Sequence, residues 1–304
     1  MTKIKEITKP IYSFVDSLLE EKEHLHPVEI AKRFIKNYDM TSQYRFGNIP
    51  SLCYFLGVDS IEYERFPEGI RGFHQIYDDK IKIQVKHDDW SGGINHTILH
   101  EMFEIIIDIY NSKAKKEYES SEYKANLFAA SILMPEDSFL EFCYRANFDL
   151  QRVREKFDCS IFSFLIRTQY LFQKRKGFYL GYLYENSYGY PHREDSIEGY
   201  NNPLAFMCVE KIGAEDIIDP FIYDKFIQEA LTKVTQNPSD FIGSVRLETK
   251  DFLIRACPIS HTKRLEAIRQ VGIQIINKYD WQRIKSEVFN ESGTLCTSLF
   301  RKAS

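Results

Sequence analysis

Several things are scarce in this sequence, and each scarcity excludes a class of protein. Its six cysteines lie at 53, 143, 159, 208, 257 and 296, and no two stand close enough to write a CxxC. That removes a zinc ribbon and a dithiol redox motif. Six scattered thiols in 304 residues are no disulfide scaffold either, and they are expected to be reduced, in a cytoplasmic protein. No run approaches the roughly 18 apolar residues of a transmembrane helix, so no membrane association is expected. Residues 1–24 lack the unbroken apolar stretch of a signal peptide, because Asp16, Glu20 and Glu21 interrupt it; they read as an exposed amphipathic helix. Basic excess is missing too. A net charge of −4 fits a protein substrate better than DNA, and direct nucleic-acid binding is not expected. There is no internal repeat and no low-complexity tract.

What is present is a globular composition, 43% hydrophobic, 28% charged and 14% aromatic, far too apolar to stay disordered. The length suggests two domains or one large one. Residues 27–38 place Ile30, Phe34 and Ile35 on one helical face, with Pro27 suited to a first turn. A short helix over 50–56 ends at Gly57. The period then shifts to strand patterning at Ile61–Phe66 and Lys80–Lys86, with Asp78–Asp79 as the turn before the second. A helix over 94–110, capped by Asn95 after Gly92–Gly93, is apolar on most sides and so buried nearly all round. A second helix runs from Ser121 to Met134 and stops at Pro135. Helices at about 149–157 and 160–172 meet at a tight Asp158–Cys159 turn. Residues 186–203 read as a linker or long loop, and Asp251–Ala256 and Gly272–Ile276 as strand-like pieces. The boundary falls at about 180.

The helix over 94–110 carries a polar stripe. His96, His100, Glu104 and Asp108 recur every four residues and share a face, with Glu101 beside them. Burying uncompensated carboxylates there costs on the order of 3–5 kcal/mol, so something must offset it. A metal would, and so would a polar partner helix or solvent. His100-Glu101-Met102-Phe103 begins the H-E-x-x-H pattern, in which two ligands one turn apart grip a metal beside a glutamate general base. The second histidine position is Glu104. Spacing alone leaves two readings open, a metal site and a buried helix with satisfied polar groups.

Thr97-Ile-Leu-His100-Glu101, followed by Glu122-Tyr-Lys-Ala125-Asn126-Leu-Phe128-Ala129-Ala-Ser-Ile-Leu133-Met134-Pro135, resembles the ImmA/IrrE family of metallopeptidases. Arg154-Glu-Lys-Phe157-Asp-Cys-Ser160 is similar to that family's F-x-V-S turn between two helices. The resemblance covers about residues 25–175. It implies an α+β protein with a zincin-like, mostly helical peptidase domain and a small sheet. It also implies that His100 is the first zinc ligand, Glu101 the general base and Glu122 a ligand from the following helix, with water in the fourth position. The departure is Glu104, where the family has histidine. A glutamate there can reach the same metal. With Glu122 it would cancel the charge of a divalent cation, weaken its Lewis acidity and shift preference from Zn2+ toward Mn2+ or Fe2+.

Three segments follow from this reading. Residues 1–24 form an N-terminal helix or extension, 25–180 the peptidase domain, and 181–304 an α/β C-terminal domain. The family often carries a regulatory domain in the last position, sometimes GAF-like. The resemblance implies a bacterial metallopeptidase that cleaves a helix-turn-helix repressor of the XRE type in a stress or mobile-element response. The alternative is a catalytically degenerate peptidase fold that senses a ligand or binds a protein, and a DNA-binding regulator is a third, weaker reading. His96 and His100 are also one turn apart, but the inverted motif needs Glu where Leu99 stands, so His96 reads as a neighbour of the site. Asp108 reads as bonded to a partner or facing water. Residues 149–172 have helix-turn-helix spacing, yet Ile161, Phe162, Phe164 and Leu165 want a core rather than base edges. Cys159 reads as an inert thiol, Lys174–Lys176 as a solvated helix end, His24 and His26 as exposed, and His192 and His261 as lacking ligand spacing.

Overall fold

An amphipathic helix, α1 (Pro10–Glu20), opens the described chain. The computed structural model describes residues 9–20, 26–38, 49–67, 70–87, 91–115, 118–146, 148–172, 179–186, 206–213, 220–236, 245–248, 252–260 and 268–288. The expectations for His24, Lys174–Lys176, His192, His261, Cys296 and the loop over 187–203 lie outside those residues. Contacts divide the chain into two units, Met1–Pro135 with Phe157–Ser163, and Glu136–Lys156 with Phe164–Ser304. The fold class is α+β, a helical region with a small sheet followed by a C-terminal region built on a larger one. No helix of the described residues is long and apolar enough to cross a membrane.

In the first unit, α1 is amphipathic as expected but not simply exposed: Ile11, Phe14, Val15 and Leu18 are buried. Helix α2 (Pro27–Asn37) starts where its signals put it, with Pro27 in the first turn and the exposed His26 as cap, its Nδ1 accepting the Val28 N–H at 3.3 Å. Helix α3 (Ile49–Leu56) ends at Gly57, whose φ of +101° suits glycine. Three strands follow, β1 (Ser60–Glu64), β2 (Gly72–Tyr77) and β3 (Lys80–Lys86), in the order β1-β3-β2. Strand β1 runs parallel to β3, whereas β2 joins it as an antiparallel hairpin through Asp78 and Asp79, both with positive φ as a two-residue turn demands. Sequence patterning misses β2, because it is an edge strand whose residues are partly or largely exposed. Strand β3 is legible because Ile81, Ile83 and Val85 alternate inward.

The central helix α4 (Ser91–Ala114) begins before the expected start. Asn95 is not its cap. It is buried inside the helix, where its amide donates to Asp158 Oδ2 at 2.9 Å, while Ser91 Oγ donates to Oδ1 of the same carboxylate at 2.6 Å. Gly92 and Gly93 are buried helical residues rather than a break. Helix α5 (Glu122–Leu133) is capped by Ser121 and stopped at Met134–Pro135, as its sequence implies. Its Ala125, Ala129 and Ala130 are fully buried, and Phe128 stacks edge-on or tilted against Phe34 of α2 and Phe103 of α4 at 5.7 and 5.2 Å. Small residues bring α5 close to α4, and the aromatics fill what is left.

The second unit contains helix α6 (Glu136–Ala146), which the sequence reading passed over although Glu136 and Asp137 favour a helix start. Helix α7 (Leu150–Phe157) and helix α8 (Ile161–Phe172) meet at Asp158–Cys159 as expected, with Asp158 at φ +43°. Then come β4 (Tyr179–Asn186), β5 (Phe206–Gly213), helix α9 (Pro220–Gln236), β6 (Val245–Glu248), β7 (Phe252–Ser260), β8 (Ile268–Asn277) and helix α10 (Lys278–Val288). The strands form one antiparallel sheet in the order β5-β4-β8-β7-β6. Ile227, Ala230, Leu231 and Val234 of α9 share its core with Ile254, Ala256, Ile273 and Ile275. Arg255 pairs with Asp149 at 2.8 Å, and Phe148 packs on Trp281 with centroids 4.5 Å apart.

A Cβ on Gly72 would stand 2.5 Å from Thr97 Cγ2 on α4 and 2.8 Å from the Gln84 carbonyl oxygen. The backbone oxygen cannot give way, so glycine lets β2 lie against α4. Gly72→Ala is expected to cost about 1–3 kcal/mol in urea unfolding. An unchanged midpoint would show that β2 is not held there.

Candidate metal centre

The polar stripe of α4 meets a different partner at each level. His100 Nε2 lies 3.7 Å from Glu104 Oε1 one turn on and 3.6 Å from Glu122 Oε2 at the start of α5. These separations are too long for good hydrogen bonds. They suit a shared cation, since tetrahedral ligands at about 2.0–2.1 Å from zinc stand about 3.3 Å apart. The ligand atoms of His100, Glu104 and Glu122 all lie within 4.8 Å of one another. The structure therefore brings together the three residues expected to hold metal, and their donors fit a divalent cation. The Glu122 side chain is 83% exposed, so the cluster opens to solvent on that side.

A buried network sets the tautomer of His100. The Asn126 side-chain oxygen can only accept, so His100 Nδ1–H and His96 Nε2–H both donate to it, each at 2.9 Å. The Nε2 lone pair of His100 is thereby left facing the carboxylates, the arrangement a metal-binding imidazole needs. His96 Nδ1 accepts from Ser163 Oγ at 2.7 Å, and Ser163 shares a hydrogen bond with Ser160 Oγ at 2.7 Å. His96 is buried, and burial is the main reason its pKa falls to about 3. It is a neutral neighbour of the site, as its sequence position suggested. For His100, burial pulls the pKa down, but Glu104, Asn126 and Glu101 outweigh it and leave the value raised. A proton and a cation compete for that Nε2. Glu104 is held below the ordinary carboxylate range first by His100, against its burial, with His74 adding to the effect.

Glu101, expected to be the general base, is buried beside this cluster. Its partner is a residue that sequence reasoning missed. His74 on β2 places Nδ1 2.9 Å from Glu101 Oε2 and 3.6 Å from Glu104 Oε2, and Nε2 3.1 Å from Asp108 Oδ2. Its pKa is raised, because the bonds to Glu101 and Asp108 outweigh a burial that would lower it. The available signal was the carboxylate itself. A buried glutamate on an apolar helix demands a polar partner, and His74 sits in the stretch between two recognised strands. Asp108 is largely exposed and, as expected, bonded to a partner. Ile161, Phe164 and Leu165 of α8 are buried, as their apolar character implies.

Residues 91–169 match the family model Peptidase_M78, the IrrE N-terminal-like domain. The resemblance drawn from the motifs is borne out over that stretch, which contains His100, Glu101, Glu104, Glu122 and Asn126 and begins after His74. No curated protein matches the chain. Among solved structures, one described as a Mycobacterium tuberculosis transcriptional regulator aligns with a TM-score of 0.52 and 12% identity, over 90% of this chain and 94% of its own. At that identity the likeness is one of fold alone.

Two outcomes follow from the network. Asn126→Ala removes the acceptor that orients His100, and metal affinity read by chelator competition is expected to fall about 10- to 100-fold. An unchanged affinity would mean that the ring is oriented by something else. His96 stays neutral in the fold down to about 3, whereas the unfolded chain takes up a proton near 6.5. The unfolded state thus binds more protons between those values, and stability falls as pH drops through that window, by at most about 1.4 kcal/mol per pH unit. Urea unfolding between about pH 7 and 5 is expected to show a steeper loss in the parent than in His96→Asn. Parallel curves would mean that His96 charges freely.

Proposed function

We propose that this chain is a metal-dependent, site-specific endopeptidase of the ImmA/IrrE type, acting in the bacterial cytoplasm on a helix-turn-helix repressor of the XRE type. The carrying observation is the convergence of His100, Glu104 and Glu122 on one cation-sized space, with Glu101 adjacent, inside the matched domain. The donor set suits Zn2+, and its two carboxylates also suit Mn2+ or Fe2+. When bound, such a cation supplies Lewis acidity to a water and to a peptide carbonyl. The residues supply the rest. His100, Glu104 and Glu122 hold the cation, and Asn126 fixes the imidazole. Glu101 accepts the water proton at a carboxylate oxygen and returns it to the leaving amine nitrogen. The exposed Glu122 side is where a peptide segment enters. The peptidase activity is assigned to residues 25–180. Residues 181–304 are assigned a sensory, GAF-like role, supported by their antiparallel sheet with α9 packed in its core.

Glu104 favours one second reading. An anionic ligand in place of a neutral one leaves the bound cation a weaker acid. A fold so altered would act as a sensing or protein-binding regulator without catalysis. The two readings separate in one assay. Zinc- or manganese-loaded protein is incubated with an XRE-type repressor, such as one encoded beside its gene, and the products are read by mass spectrometry. Cleavage at one site, reduced at least about 100-fold in Glu101→Gln with at least one cation per chain still bound, supports the peptidase. No cleavage by the parent but cleavage by Glu104→His would establish the degenerate fold.

A further inference from the structure

His74 and His100 are built alike. Each gives one ring N–H to an oxygen that orients the ring: Asp108 Oδ2 for His74 at 3.1 Å, Asn126 Oδ1 for His100 at 2.9 Å. Each turns its other nitrogen toward two carboxylates. For His100 these are Glu104 and Glu122, and for His74 they are Glu101 and Glu104. The same glutamate serves both, one oxygen to each: Oε1 faces His100 at 3.7 Å and Oε2 faces His74 at 3.6 Å. His74, Glu101 and Glu104 also bring their ligand atoms within 4.8 Å of one another.

We propose that His74, Glu101 and Glu104 form a second divalent-cation site, and that Glu104 bridges the two cations of a dinuclear centre. The inference rests on the reading that His100, Glu104 and Glu122 hold the first. Distances support it. Neighbouring ligands of an octahedral cation bound at about 2.1 Å stand about 3.0 Å apart. His74 Nδ1 is 2.9 Å from Glu101 Oε2 and 3.6 Å from Glu104 Oε2, on either side of that value. Cations held by the two oxygens of one carboxylate match the spacing of about 3.5–4 Å seen in two-metal sites. Charge supports it as well. Glu101, Glu104, Glu122 and Asp108 surround two imidazoles, and one dication cancels half of the four carboxylates' charge. A second cancels the rest. A histidine in place of Glu104 could not do this, because a ligating imidazole has a single lone pair to offer. Filling the second site engages a Glu101 oxygen, so the doubly loaded centre has a ligand where the singly loaded one has a base.

The test is metal stoichiometry. The full chain is stripped with chelator, incubated with Mn2+ or Zn2+, freed of excess by gel filtration and counted by elemental analysis. The expected result is about two cations per chain in the parent and about one in His74→Ala. Glu122→Ala, at an exposed position, is expected to retain the cation on His74, which keeps the test independent of whether the strand variant folds. One cation in the parent, unchanged in His74→Ala, overturns the second site and leaves the peptidase reading standing; His74 then holds a proton between the carboxylates. No cation in any variant overturns both.

Discussion

A glutamate side chain 6% exposed, on a helix whose other faces are isoleucine, leucine and phenylalanine, is the constraint around which the first unit is organised. Leaving Glu101 charged and unpaired there would cost several kcal/mol. The chain answers with β2, whose Phe73, Ile76 and Tyr77 stay exposed and which reaches α4 because Gly72 has no side chain. The approach delivers His74 to Glu101. On the opposite side, the alanines of α5 let that helix come close enough for Asn126 to reach two histidines of α4 at once. Backbone proximity on both flanks serves polar groups on the helix between them.

The three histidines of this region have different fates, for reasons visible in their partners. His96 hydrogen-bonds to the neutral Asn126 and Ser163, feels the nearby Arg71 charge, and stays uncharged. His100 and His74 each face carboxylates, which favour a positive occupant at the nitrogen turned toward them. Depth and charge both contribute: His96 is the most deeply buried and burial dominates its low pKa, whereas His74 and His100 are less buried and face carboxylates. A histidine facing carboxylates and one held among neutral partners thus sit one turn apart on the same helix. What distinguishes them is the depth of the ring together with the charge on the side chains around it.

Much of this was legible in the sequence because it is local. The helical spacing of His96, His100, Glu104 and Asp108, the Ser121 cap and the Pro135 stop all act within a turn or two, and the residue types declare the chemistry. What escaped is set by tertiary contact. His74 lies on a half-exposed edge strand with no clear alternation, and its closeness to Glu101 depends on the hairpin register that pairs it with Ile83. Gly92 and Gly93 read as a break, yet buried packing holds them in the helix, so the Asn95 cap was misassigned. The amphipathicity of α1 is plain, but not that its Phe14 packs on Phe34 and Tyr38 while Lys113 of α4 reaches Asp16. In the second unit the runs within β7 and β8 are legible as strands, while β4, β5, β6 and the order of the sheet are not.

Glu104 and His74 are best understood together. Taken alone, glutamate in the second position of the metal motif is a loss: it adds negative charge to a buried cluster and weakens the cation's acidity. Taken alone, His74 is a ring between carboxylates on an edge strand that starts before the matched stretch. Placed side by side, each supplies what the other lacks. The glutamate has two oxygens, so it can face His100 with one and still meet His74 with the other. The histidine brings a positive occupant, proton or cation, to the carboxylate excess the glutamate creates. The departure from the family motif lies 3.6 Å from a residue that answers it. In the proposed two-cation centre, Glu104 is half of a two-residue arrangement rather than decay of an old site.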